Sequence, residues 1–103
     1  MSLVLIDTNV LVYMYDKHAP SKAAQATRVF NRLRITQNGR LSVQNLAEFL
    51  QVSTHKLSPP LSRADALTQA GLFTRVLPVF NLTPMIVLEA ARGARDHGLA
   101  YYD

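Results

Sequence analysis

Leu3-Val4-Leu5-Ile6-Asp7-Thr8-Asn9-Val10-Leu11-Val12 is the stretch that decides the fold. Four apolar residues in succession predict a strand buried on both faces, the pattern of a central parallel strand. A carboxylate follows at once. Burying it ionised and unpartnered is costly, so Asp7 must reach water, a hydrogen-bond donor or a cation. In open α/β sheets, ligands collect at the carboxyl ends of strands, which is where Asp7 stands. Asp, Thr and Asn are also good helix N-caps, and Val10-Leu11-Val12-Tyr13 follows them. Asp7 therefore reads either as a cap or as a catalytic or metal-binding carboxylate.

Working outward, Asp16-Lys17-His18-Ala19-Pro20 is a polar turn. Ser21 offers an N-cap for a helix over about residues 21–35, where Ala23, Ala26, Phe30 and Leu33 form one apolar face. Lys22, Arg28 and Arg32 lie off that face, as a solvated surface first and as phosphate contacts second. Gln37-Asn38-Gly39 signals a turn, and Arg40-Leu41-Ser42-Val43 a short strand. A helix over about 44–56 turns Leu46, Phe49, Leu50 and Ser53 inward. Ser58-Pro59-Pro60 breaks it. Ser62 and Asp65 have capping-box spacing and open a helix over about 62–74. Val76 to Leu82 reads as a third strand, with Pro78 marking a sheet edge or a bulge. Thr83-Pro84 starts a last helix that runs to about Asp96, with Gly98 as its stop. Strands alternating with helices predict an α/β fold with a parallel sheet and right-handed crossovers.

The chain of 103 residues makes one domain, and an apolar fraction of 49% suffices for a core. No apolar run is long enough to span a bilayer, and the N-terminus lacks the pattern of a signal peptide. The absence of cysteine excludes disulfides and zinc–thiolate sites and fits a reducing compartment, hence a cytoplasmic location. The net charge of +4 is compatible with a polyanionic partner without requiring one. No nucleotide-binding glycine motif and no acyl-hydrolase elbow is present.

Seven acidic residues exist. Asp16 in a turn, Asp65 in a cap, Glu89 beside Arg92, and Asp96 beside Arg92 and Arg95 have structural explanations. Asp7, Glu48 and Asp103 remain. Glu48 falls in the first helical turn after the second strand, so it and Asp7 can face each other across one sheet edge. The bland alternative for Glu48 is a capping box with Asn45. Converging carboxylates repel unless they share a proton or a cation. Oxygen donors without Cys or paired His suit Mg²⁺ or Mn²⁺. His18, His55 and His97 lie far apart in polar segments and read as surface residues.

Leu5-Ile6-Asp7-Thr8-Asn9-Val10-Leu11, Ser42-Val43-Gln44-Asn45-Leu46-Ala47-Glu48-Phe49 and Leu99-Ala100-Tyr101-Tyr102-Asp103, in that order and spacing, resemble the PIN-domain family and its VapC-type toxins. The resemblance implies a three-layer α/β/α fold and a Mg²⁺- or Mn²⁺-dependent endoribonuclease acting on single-stranded RNA. It implies that Asp7, Glu48 and Asp103 serve as catalytic and metal-binding acids, while Thr8 and Asn9 order the site. It also implies a cognate antitoxin and a homodimer. Arg92 and Arg95 are the candidate substrate-binding cations. The family's pattern runs on past the third acid, through a helix and a strand that carries or precedes a fourth acid, whereas this sequence ends there. The expectation is therefore that C-terminal strands are missing and that Leu3–Ile6 is an open edge covered by a second copy or another polypeptide. Two other functions compete. One is a catalytically incomplete PIN fragment acting as a binding or dimerisation module. The other is an aspartate-nucleophile phosphatase, disfavoured because Asn9 stands where a second Asp is usual.

Overall fold

A computed structural model of the chain describes residues 3–81 and the backbone of the strand at 99–102. The fold is α/β with a parallel sheet, as the residue pattern predicts. Its elements are β1 (Leu3–Ile6), α1 (Thr8–Tyr13), α2 (Pro20–Thr36), β2 (Gly39–Ser42), α3 (Val43–His55), α4 (Arg63–Val76), β3 (Val79–Phe80) and β4 (Leu99–Tyr102). The strand order is β3-β2-β1-β4, and every neighbouring pair is parallel. The architecture is compatible with three layers. Leu5 and Ile6 are both fully buried although they point to opposite faces, so β1 is covered on both sides as its unbroken apolar run requires.

Two expectations about the sheet fail. β1 is not an edge: β2 flanks it on one side, and Leu99–Tyr102 pairs with it on the other, Leu3 opposite Leu99 and Ile6 opposite Tyr102. The backbone groups expected to be open are paired, so they give no reason for a covering second copy. The third strand is also shorter than Val76 to Leu82. Val76 completes α4, and the Leu77 N–H still bonds back to the Phe73 carbonyl. Only Val79 and Phe80 join the sheet, at its edge, with Pro78 contributing a carbonyl that accepts from the Leu41 N–H at 2.9 Å. An edge place is what a residue without an N–H predicts.

The helices form where periodicity places them, with one change of cap. α2 begins with Pro20 at its first turn after Ala19, not with Ser21 as cap, and Ala19 supplies no side-chain bond. Proline suits that position because its missing N–H would be unsatisfied there anyway. Ala26, Phe30 and Leu33 are its buried face, and Gln37 ends it in the left-handed region at φ 62°. In α3 the buried positions include Phe49 and Ser53, with Leu46 and Leu50 half-buried. Ser62 caps α4 by accepting from the Asp65 N–H at 3.0 Å. The helix expected over 84–96 lies outside the described residues.

One core joins these parts. Phe49 and Phe73 meet edge-on with centroids 5.1 Å apart, Phe30 stands 5.4 Å from Phe73, and Tyr15 5.6 Å from Phe49. Such pairs add about 0.5–1.5 kcal/mol each beyond the area they bury. Gly39 opens β2 at a point where a Cβ would come within 2.9 Å of Leu33 Cβ. The absence of a side chain there lets α2 close onto the sheet.

Candidate functional site

β1 and β2 are parallel neighbours, so the helices that follow them start at the same edge of the sheet. Asp7 leaves β1 in extended backbone, and its Oδ1 accepts from the Asn9 N–H at 2.8 Å. The capping reading of Asp7 is thus realised. It does not exhaust the residue, because an ionised carboxylate has about four acceptor positions and this bond takes one. Asp7 is half-buried.

The second helix start is built differently from the expectation. Ser42, not Asn45, is the N-cap of α3. Ser42 Oγ accepts from the Asn45 N–H at 3.0 Å, and Asn45 Oδ1 accepts from the Ser42 N–H at 3.0 Å, a reciprocal capping box. Ser42 Oγ also donates to Asn45 Oδ1 at 2.9 Å. A capping box between Asn45 and Glu48 is therefore excluded, and Glu48 is released from that structural duty. Glu48 is exposed on the second turn of α3.

The two helix starts are tied together. Asn45 Nδ2 donates to Thr8 Oγ1 at 3.0 Å, a bond between two buried side chains. Thr8 thus fixes the start of α1 against the start of α3, and through it the residue before it, Asp7. Asn9 contributes its N–H to Asp7 and exposes its side chain. Glu48 lies one turn along α3 from Asn45, on the same flank of the helix. Asn45 is the residue that sequence reasoning missed as part of the site. The Ser42-x-x-Asn45 spacing was the available signal, since it equals the capping-box spacing with a shorter N3 side chain.

On the other side of β1, Ile6 pairs with Tyr102. The residue that follows Ile6 in sequence is Asp7, and the residue that follows Tyr102 is Asp103. Asp103 itself, with Arg92 and Arg95, lies outside the described residues. Among the described residues, no three of the His, Asp and Glu side chains come together in a way that could hold a metal. Asp7 and Glu48 bring oxygen donors only, a set that fits Mg²⁺ or Mn²⁺ better than zinc or copper. His18 and His55 are exposed, as expected of surface residues, and His97 is outside the described residues. No helix among the described residues is long and apolar enough to cross a membrane.

The chain matches no protein-family model, and no curated protein matches it.

Proposed function

We propose that this chain is a metal-dependent endoribonuclease of the PIN type that hydrolyses single-stranded RNA, and that it is the toxin of a toxin–antitoxin pair in the cytoplasm. The observation that carries the reading is the pair of helix starts at one sheet edge, locked by the Asn45–Thr8 bond, with Asp7 at one start and Glu48 on the second turn of the helix that begins at the other. The register of β4 on β1 supports it, since the third acid of the resemblance directly follows the strand paired with the one that precedes Asp7. The alternation Ile6-Asp7 and Tyr102-Asp103 has the same form in both strands. In this reading Asp7, Glu48 and Asp103 hold Mg²⁺ or Mn²⁺, Thr8 and Asn9 order Asp7, and Arg92 and Arg95 contact substrate. The cognate antitoxin and a homodimer belong to the same reading.

The bound cation would supply a water of lowered pKa and neutralise charge on the phosphodiester. The chain's own part is positioning. The Asn9 N–H donates to one oxygen of Asp7, which restrains the carboxylate at the head of α1. The buried Thr8–Asn45 bond holds the distance between the two acid-bearing helices without using a charge. Glu48, exposed, meets the incoming strand and solvent water.

Asp7→Asn tests the reading cleanly. Asn caps a helix about as well as Asp, so the fold is retained while the charge is lost. Wild-type protein should cleave single-stranded RNA with Mn²⁺ and not with EDTA. Asp7→Asn should slow cleavage by at least about 100-fold, near the low end of what a positioned acid–base group contributes. Cleavage in EDTA, or an unchanged rate for Asp7→Asn, would overturn the assignment.

A further inference from the structure

The outer flank of α2 carries a row of hydrogen-bond donors that the site above does not use. Ser21, Gln25, Arg28 and Arg32 recur at spacings of four, three and four, so they lie along one stripe of the helix. All four are exposed. The seventeen residues of α2 include no acid, so nothing on the helix itself neutralises Arg28 or Arg32. Neither guanidinium lies in the last turn, where it would serve the helix terminus; that place belongs to Arg34. Beside the stripe runs a groove of about 490 Å³ lined by Val4, Gln25, Arg28, Val29, Arg32 and Leu33. One wall is cationic and amide-bearing. The floor, where α2 meets β1, is apolar.

We infer that this groove is a track for a single strand of nucleic acid, with Arg28 and Arg32 on successive phosphates, Gln25 on a sugar or base edge, and base faces against Val4, Val29 and Leu33. Arg28 and Arg32 are one helical turn apart, about 6 Å along the axis. Guanidinium groups offer planar, paired donors to phosphate oxygens. The combination of cationic wall and apolar floor selects a single strand over a duplex. A duplex presents phosphates while its base faces stay stacked inside; a single strand presents both. β1 and β2 are parallel, so the connection between them, α1 and then α2, returns from the sheet edge where Asp7 stands to the opposite edge, ahead of Gly39. A strand lying on this flank therefore leads toward the candidate acids. The inference rests on the proposed RNA substrate, and its test is read separately from cleavage.

The test is equilibrium binding of a fluorescein-labelled, unstructured RNA of about twenty nucleotides to the full chain in EDTA, followed by anisotropy over a range of salt. Wild-type protein should bind the single strand at least tenfold more tightly than the corresponding duplex. Arg28→Gln with Arg32→Gln should weaken binding at least tenfold at low salt. It should also reduce the slope of log K against log salt by about 1.4, since each phosphate contact on a single strand contributes about 0.7. Lys56→Gln with Arg63→Gln, at exposed positions on the far helices, makes the same change in net charge and should leave affinity within twofold. Thermal melting should be the same for all three proteins. Equal losses in both double variants would show a nonspecific charge effect and overturn the inference, as would duplex binding as tight as the single strand or no binding by the wild type. Failure of the proposed reaction looks different: RNA would bind and depend on Arg28 and Arg32, while no metal restores cleavage.

Discussion

Asn45 carries more of the candidate site than any charged residue does. Its amide oxygen accepts from Ser42 and its amide nitrogen donates to Thr8, all in a buried setting. Asn45→Ala would leave the Thr8 hydroxyl and the Ser42 N–H without partners, and a buried orphan costs about 1–3 kcal/mol. The variant should lose about 3 kcal/mol in urea unfolding and, by loosening α1 against α3, more activity than its stability accounts for. A loss under 0.5 kcal/mol would mean that the two helix starts are held by packing alone. At this scale the sequence was half legible. Asp7 as a helix cap was one of two readings on offer, and the cap formed. The alternative that pairs Asn45 with Glu48 fails because two good caps, Ser42 and Asn45, stand three residues apart, and spacing does not say which leads. The tie to Thr8 crosses from one helix to another, and no local pattern encodes it.

Among the elements, α4 is held to the turn that follows α1 by a polar contact within an aromatic cluster. Tyr15 Oη donates to Gln69 Oε1 at 2.7 Å, while the ring packs against Phe49 and Phe73. Burial pushes the Tyr15 phenol up to about 12 from 10, because the phenolate would be poorly solvated there. The folded state therefore keeps the proton more tightly than the unfolded chain. The resulting stability is intact below pH 10 and is lost as pH climbs through the window from 10 to 12. Tyr15→Phe should cost about 1 kcal/mol at neutral pH from the lost bond. Its stability should decline less than the wild type's between pH 10 and 12 in parallel denaturation series. Parallel decline of the two proteins would assign the alkaline transition to another group. Helix periodicity made α2 and α3 legible from Ala26, Phe30, Leu33 and Phe49, and the capping spacing of Ser62 and Asp65 made the start of α4 legible. The end of α4 was not, because Val76 and Leu77 are equally good strand residues and the helical hydrogen bond from Leu77 outweighs that preference.

For the molecule as a whole, the α/β class followed from the alternation of strands and helices, but the neighbour of β1 did not. Leu99–Tyr102 is too short for periodicity to declare its role, and its partner lies at the other end of the sequence. A cation that binds only the folded protein stabilises it by mass action, about 2.7 kcal/mol at a hundredfold excess over Kd. Millimolar Mn²⁺ should therefore raise Tm by on the order of 10 °C for a domain of this size. Asp7→Asn should remove most of that rise. An unchanged Tm in the wild type would argue that Asp7 and Glu48 do not share a cation.

The pairing of Leu3 with Leu99 and Ile6 with Tyr102 also bears on how the chain acquires its shape. The central ladder joins segments that are nearly the full sequence apart, so its loop-closure entropy must be met before any of its contacts form. The β1–β2 pair and the helices between them can assemble earlier, from nearer contacts. During synthesis, β1 emerges first and waits for its second neighbour until the last residues of this stretch leave the ribosome. Throughout that interval the apolar strand Leu3–Ile6 has one unpaired edge, and folding of the sheet is timed by the arrival of Leu99–Tyr102.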